Sequence, residues 1–366
     1  MKTLYLHVGL HKTATTSIQN TLLHNRDLFI KNGFFVPVIK VKERVVSNHT
    51  ILFRNLFGDN PKNFHANIKM GLLDELDQIN ESFLEQLESL VDVPQETIII
   101  SGEGISNISD NGLTKLRSFF EQRGFQIKVI CALRGALSSA TSRIQQRVKG
   151  GYPALTNISK FSSSKDLIIN RLKAVKKGFS DVCFYSFEES LEHSFGPVGY
   201  FLELIGVPDR MFPDITFYRV NESISDVSVR IIDYINSMHP YLIKGQINPN
   251  RNEDDIRPLL ELPGPKFYLR QDEINKIIDK VKLENAFYSE LTGYDFSRDA
   301  MRAKTVDNHI DQNTLCEQLF LLPNPLRDYA YEYAVSNHFI DESVSLSPIK
   351  KLSLLVKYQF KKLLNI

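Results

Sequence analysis

Cysteine is scarce in this 366-residue chain, and the three present, Cys131, Cys183 and Cys316, lie far apart. Their spacing implies no disulfide framework and matches no metal-ligand motif. Cys131 and Cys183 sit inside apolar runs, where a thiol behaves as a small buried hydrophobe. Net charge is nearly absent as well, since 44 Lys and Arg face 43 Asp and Glu, leaving +1. No global field recruits nucleic acid, so no nucleic-acid partner is expected. No apolar run reaches the length of a membrane-spanning helix. Met1-Lys-Thr leads directly into an apolar segment with no room for a signal peptide. A cytoplasmic location is the resulting expectation. Internal repeats and low-complexity tracts are missing too.

What is present is ordinary globular composition, 42% apolar and 24% charged, arranged as strands alternating with helices. Strand candidates are Leu4–Val8, Thr97–Ser101, Ile127–Leu133 and Val182–Tyr185. Between the first two, apolar residues recur at helical spacing over Asn63–Leu90. Further helices are expected over Gly112–Gln122, closed by Gly124, over Lys165–Lys177, over Phe195–Ile205, stopped by Gly206, and over Gln271–Gly293. This alternation predicts an α/β fold with a doubly wound parallel sheet flanked by helices.

The most informative stretch is Leu4-Tyr-Leu-His-Val-Gly-Leu-His-Lys-Thr-Ala-Thr-Thr-Ser-Ile-Gln19. It reads as a buried strand, a tight turn at Gly9 and a hydroxyl-rich loop opening a helix near Thr15. Such a loop brings backbone N–H groups, a lysine and hydroxyls to a helix N-terminus, which makes an anion cradle. It departs from the triphosphate-binding pattern G-x-x-x-x-G-K-[ST], because Leu6 and His11 stand where glycines are required. His7, inside the strand, is expected to be a core histidine with its hydrogen bonds satisfied.

Gly9-Leu-His-Lys-Thr-Ala-Thr-Thr-Ser-Ile-Gln19 resembles the phosphosulfate-binding loop of sulfotransferases that use 3′-phosphoadenosine 5′-phosphosulfate (PAPS), especially bacterial members related to carbohydrate sulfotransferases. The resemblance implies a P-loop-like sulfotransferase fold. It implies a donor-binding set of Gly9, His11, Lys12, Thr13, Ala14, Thr15, Thr16 and Ser17, with Lys12, Thr15 and Thr16 gripping the 5′-phosphate and sulfuryl group. Ala14 stands where many members carry glycine, so the loop is expected to turn without a positive φ there.

A second match follows about 120 residues later. Lys128-Val-Ile-Cys-Ala-Leu-Arg134 reads as a strand buried on both faces, with Arg134 at the carboxyl end where ligands bind in open α/β sheets. Ser142 lies eight residues on, in a helical segment. This pair is similar to the sulfotransferase arginine and serine that hold the 3′-phosphate; a guanidinium fork suits that group bidentately.

Sulfuryl transfer, like phosphoryl transfer, is an in-line displacement governed by positioning and electrostatics. Lys12 fits as the cation at the leaving oxygen. The leaving nucleotide needs no metal, and no His, Cys or Asp spacing suggests one. An acceptor hydroxyl needs a general base. Glu103, in Ser101-Gly-Glu-Gly104, is favoured by its place at a strand end; His49 and His11 are the other candidates. The resemblance favours a glycan acceptor, and lipid, peptide and small-metabolite hydroxyls stay open as alternatives. Two other classes stay open, a P-loop nucleotide kinase or phosphotransferase and a non-catalytic nucleotide-binding protein. A kinase would want a magnesium-holding aspartate at a second strand end, and Thr97–Ser101 and Lys128–Leu133 end without one.

The resemblance covers roughly residues 1–296, taken as a sulfotransferase domain, and leaves 297–366 as a helical extension. Asn221-Glu-Ser-Ile-Ser225 falls within it, with Ser223 or Ser225 as a helix cap. The Met238–Pro265 stretch reads as a lid or specificity insert, with Lys266 and Arg270 as further candidates for the 3′-phosphate. The last segment, Ile349–Ile366, carries five lysines and no acid. Its Leu352, Val356, Phe360, Leu363 and Leu364 form an apolar stripe. Such a helix either contacts an anionic membrane surface or docks on its own domain or a second subunit. Docking is the expectation, because terminal helices often finish a core.

Overall fold

The structure, a computed structural model, describes residues 2–159, 167–219, 223–243, 246–297, 310–344 and 346–363. The chain forms two compact units, Met1–Ala136 with Asp166–Asn221 and Lys282–Arg298, and Leu137–Lys165 with Glu222–Val281 and Asp299–Ile366.

The first unit is α/β. Its sheet has five parallel strands, β1 (Lys2–His7), β2 (Phe34–Phe35), β3 (Thr97–Ser101), β4 (Phe125–Leu133) and β5 (Val182–Ser186), in the order β2-β3-β1-β4-β5. The four longer strands lie where the apolar runs put them. β2 has only two residues and leaves no alternation to detect. In the centre, Leu4, Leu6, Ile98, Ile99, Ile100 and Val129 are fully buried. Each such aliphatic side chain contributes roughly 1.5–3 kcal/mol of burial free energy. Ile130, Ala132, Ile99 and Tyr185 present one face to Ile18 and Leu22 of α1 (Thr15–His24) and to Phe201 and Leu202. β1 is therefore central and clamped by neighbours that leave toward opposite edges. In open α/β sheets that is where the carboxyl ends frame a ligand crevice.

Local sequence accounts for the remaining helices. Thr50–Phe57 forms α2. The long helix expected over Asn63–Leu90 is instead broken. A short helix His65–Lys69 ends before Gly71, whose φ of +64° is left-handed, and the regular helix α3 runs only over Leu76–Val91. Continuous periodicity concealed that break; Ile68 and Leu84, apolar residues within that span, are exposed. α4 (Asp110–Glu121) starts at a Ser109 side chain that accepts the Gly112 N–H at 3.3 Å. The element expected over Gln271–Gly293 is two helices, Gln271–Asn275 and Ile278–Thr292.

The second unit is largely helical. It contains α5 (Ala136–Lys149, whose first residue belongs to the other unit), α6 (Asp226–Met238), α7 (Gln312–Phe320), α8 (Leu326–Ser336) and α9 (Pro348–Leu363). Ser225 caps α6 by accepting the Ser228 N–H at 3.3 Å; Asn221 and Glu222 of that stretch lie outside the described residues. α6 is buried almost all round. Its Arg230 donates to Asp226 and to Glu273, each at 2.8 Å, and Asp233 accepts from the Leu155 N–H and from the Thr156 N–H and hydroxyl. Within the Met238–Pro265 stretch, Leu242–Ile243 pairs with Gln246–Ile247 and a short helix covers Arg257–Leu260. Lys266 bridges Ser225, and the Arg270 N–H is bound by Glu273.

Candidate active site

β1 ends at His7, and the chain then turns through Gly9 into the loop that opens α1. Two residues of that loop, Lys12 (φ 72°) and Ala14 (φ 59°), adopt the left-handed conformation. The expectation that Ala14 avoids positive φ is therefore corrected: the loop demands this conformation there, and alanine adopts it at a cost of roughly 1–2 kcal/mol. The demand follows from the job of the turn. Ala14 is the N-cap of α1, makes no side-chain capping bond, and the first turn carries no acid. The helix N-terminus thus opens toward the loop with no acid of its own first turn to offset its positive dipole end.

The hydroxyls divide by burial. Thr13 Oγ1 donates to the Leu10 carbonyl at 2.6 Å and is fully buried, so it braces the loop. Thr16 is exposed. Thr15 is 3% exposed, and its Oγ1 has no hydrogen-bond partner among the described residues. A second orphan lies beside it, His7 Nε2. A Cβ at Gly9 would stand 2.8 Å from His7 Nε2 and 3.1 Å from Thr15 Oγ1. The glycine is required by that close approach, and the two unsatisfied polar atoms converge on it. His7 is thus buried but only half satisfied, which corrects the expectation of a fully bonded core histidine. Burial holds it well below its ordinary value, to about 4, against an opposing pull from Glu103, so the ring is neutral near pH 7.

The ends of β3 and β4 close around the loop. Arg134, one residue past β4, donates from Nη1 to the Lys12 carbonyl at 2.9 Å, and its guanidinium lies over the Phe187 ring. The turn after it is held on two sides, with the Gly135 N–H donating to Glu188 at 3.0 Å and the Ala136 N–H to Asn285 at 2.8 Å. Past β3, Glu103 Oε2 pairs with His11 Nδ1 at 3.2 Å. Burial works to raise the Glu103 carboxyl, but the hydrogen bond from His11 and the charges of His11, Lys12 and His7 outweigh it. Its value lies below the ordinary carboxylate range. Glu103 is therefore ionised at neutral pH. Gly104 lets this turn press against α2, since a Cβ there would stand 2.3 Å from Thr50 Cγ2.

His49 occupies a different setting. It is 2% exposed, and both ring nitrogens meet the backbone: Nε2 lies 3.0 Å from the Pro37 carbonyl, and Nδ1 lies 3.0 Å from the Ser101 N–H. Nδ1 also lies 2.9 Å from the Ser101 carbonyl, so the ring ties the start of α2 to β3. Burial, against the pull of the Pro37 and Ser101 carbonyls, lowers its value.

No family model matches the chain, and no curated protein matches it.

The structure thus brings Gly9, His11, Lys12, Thr13, Ala14, Thr15, Thr16 and Ser17 together with Glu103 and Arg134 at three adjacent strand ends. Ser142 is half-buried on α5 and belongs to the second unit. Sequence reasoning placed His7 in the core but did not anticipate its group with Ser101 and Gln19: Gln19 Nε2 donates to the Ser101 hydroxyl at 3.3 Å, and Ser101 Oγ lies 2.9 Å from His7 Nδ1. A polar residue in an otherwise apolar strand, two positions before the loop, was the available signal. Among the described residues, no group of His, Cys, Asp and Glu is placed to hold a metal ion, and no helix is long and apolar enough to cross a membrane.

Proposed function

We propose that this protein is a PAPS-dependent sulfotransferase that transfers a sulfuryl group to an acceptor hydroxyl, with a glycan as the favoured acceptor, on a P-loop-like sulfotransferase fold. The observation that carries the reading is the bond from Arg134 to the Lys12 carbonyl, which joins an anion-cradling loop to a second cation at the next strand end. A ligand bearing two separate anionic groups suits that pairing. The orphaned Thr15 hydroxyl and the uncapped start of α1 also fit an anionic ligand.

The donor supplies a sulfuryl group on a nucleotide that leaves readily. Lys12 neutralises the charge growing on the bridging oxygen, while Thr15, Thr16 and the first-turn N–H groups hold phosphate and sulfuryl oxygens. Arg134 takes the 3′-phosphate; the role of Ser142 there rests on its spacing from Arg134 along the chain. Glu103 is the base, in preference to His49, because it is ionised and only partly buried, whereas both His49 nitrogens are engaged by backbone. His11 orients Glu103. The reading requires no metal.

Calorimetry of the full chain with adenosine 3′,5′-bisphosphate and with adenosine 5′-monophosphate tests this. The bisphosphate should bind at least about tenfold tighter, as one charged hydrogen-bonded group is worth roughly 1.5–3 kcal/mol. Equal affinities would remove the 3′-phosphate site, and a preference for magnesium-ATP would favour a kinase. Labelled PAPS offered with candidate glycans and lipids then identifies the acceptor.

A further inference from the structure

α9 is fastened to the second unit at its beginning. Lys350 Nζ pairs with Glu317 of α7 at 2.8 Å, and the Lys351 ammonium lies 5.8 Å from the Phe320 ring centroid. In the next turn, the apolar side chains of the stripe do not pack on the protein's own second unit. Leu352 is 66% exposed, Leu355 42% and Val356 60%. At about 100° per residue these three fall within an arc of roughly 100° on one side of the helix. In sequence the stripe continues through Phe360 and Leu363, while Lys357, Lys361 and Lys362 follow Lys350 and Lys351, with no acid anywhere in Ile349–Ile366.

Two properties of this segment select its partner. An exposed contiguous apolar arc marks an interaction surface rather than a solvated face. A segment with five lysines and no carboxylate cannot neutralise itself through i,i+4 pairs, so its complement is a surface of dense negative charge. An apolar arc bordered by lysines is the pattern of a helix lying in the plane of a bilayer interface, its apolar side sunk below the headgroups and its ammonium groups reaching anionic phosphates. A second copy of a chain whose net charge is +1 lacks that uniform negative field.

We propose that α9 is an interfacial anchor that seats the protein on an anionic lipid surface. The attachment is peripheral and electrostatically assisted, and it stands independently of the sulfotransferase reading.

Co-sedimentation of the full chain with vesicles of phosphatidylcholine alone, or mixed with phosphatidylserine, tests the proposal. Binding to the mixed vesicles should exceed binding to phosphatidylcholine at least about tenfold. It should weaken similarly as salt shortens the Debye length from about 10 Å at 0.1 M to about 3 Å at 1 M. Leu352→Ser, Leu355→Ser and Val356→Ser together should lose binding at least about tenfold without changing charge, since interfacial affinity scales with buried apolar area. Lys357→Gln, Lys361→Gln and Lys362→Gln should remove most of the salt dependence. The triple-serine variant should melt with the parent, because the altered Leu and Val side chains are exposed. Failure of the intact protein to bind mixed vesicles at low salt overturns the anchor. So does undiminished binding by the triple-serine variant, or an intact protein found as a dimer by light scattering that this variant dissociates.

Discussion

His7 and Ser101 face each other across one rung of the parallel ladder between β1 and β3, with His7 Nδ1 2.9 Å from Ser101 Oγ. The Gln19 amide donates to the same hydroxyl. His7 Nε2, the other ring nitrogen, lies beside Gly9 and Thr15 with no hydrogen-bond partner among the described residues. The strand ladder thereby sets a buried, half-satisfied imidazole beneath the loop.

Gly9→Ala should disturb this arrangement directly. Its Cβ would lie 2.8 Å from His7 Nε2 and 3.1 Å from Thr15 Oγ1, and both side chains are held by their own elements. A loss of roughly 1–3 kcal/mol in stability is expected from such overpacking, together with weaker adenosine 3′,5′-bisphosphate binding. Urea unfolding and calorimetry on the same samples check both. Unchanged values in both measurements would show that the approach is not tight.

Ala14→Gly should move the other way. Glycine enters the left-handed region without the penalty alanine carries at φ 59°. The unfolded chain gains entropy in exchange, so the net rise should be about 0.5–1 kcal/mol. Donor-nucleotide affinity should stay within about twofold, since the loop keeps its path. A fall in melting temperature would contradict the strained geometry.

Much of this site was legible because its parts lie in continuous segments. The loop from Gly9 to Ser17, the arginine ending an apolar strand and the glutamate between two glycines each announce themselves locally. What was not legible depends on strand order. His7 and Ser101 are 94 residues apart and meet only because β3 is the neighbour of β1. Periodicity likewise ran through the break at Gly71, because apolar spacing reports a face and not the continuity of the backbone. The conformation of Ala14 was misjudged for a related reason: residue preference yields where a loop must turn its N–H groups inward.

Arg134→Ala should weaken adenosine 3′,5′-bisphosphate binding about tenfold to a hundredfold while leaving adenosine 5′-monophosphate nearly unaffected, if the guanidinium takes the 3′-phosphate. Arg134→Lys should recover only part of the loss, because an ammonium lacks the planar fork. Equal losses for both nucleotides would instead assign Arg134 to holding the Lys12 carbonyl.

Lys12→Ala and Glu103→Gln should separate binding from turnover. If Lys12 meets the leaving oxygen as proposed, its contact strengthens as charge develops there, and its removal should lower kcat far more than product-nucleotide affinity. Glu103→Gln should lower turnover by about two orders of magnitude and spare donor binding. The acid limb of the wild-type profile should lie below the ordinary glutamate range, in keeping with the lowered carboxyl. A fully active Glu103→Gln enzyme would return the role of base to a histidine.

Acid stability gives the most quantitative test. His7 titrates at 6.5 in the unfolded chain and at about 4 when folded, because burial disfavours the imidazolium. Between those values the unfolded state binds more protons, so stability must rise with pH across that window. The stabilisation is fully present above about 6.5 and is lost as pH falls through about 4. The difference amounts to something on the order of 3 kcal/mol. His49, lowered by the same burial, adds to the slope with the same sign. Urea midpoints for the wild type should therefore decline from neutral pH toward pH 4. His7→Gln, neutral throughout, should start from a lower stability because it disturbs the Ser101 contact, but its decline should be shallower. Parallel pH profiles for the two proteins would mean that His7 is protonated as easily in the fold as out of it, and the buried neutral ring beneath the loop would have to be abandoned.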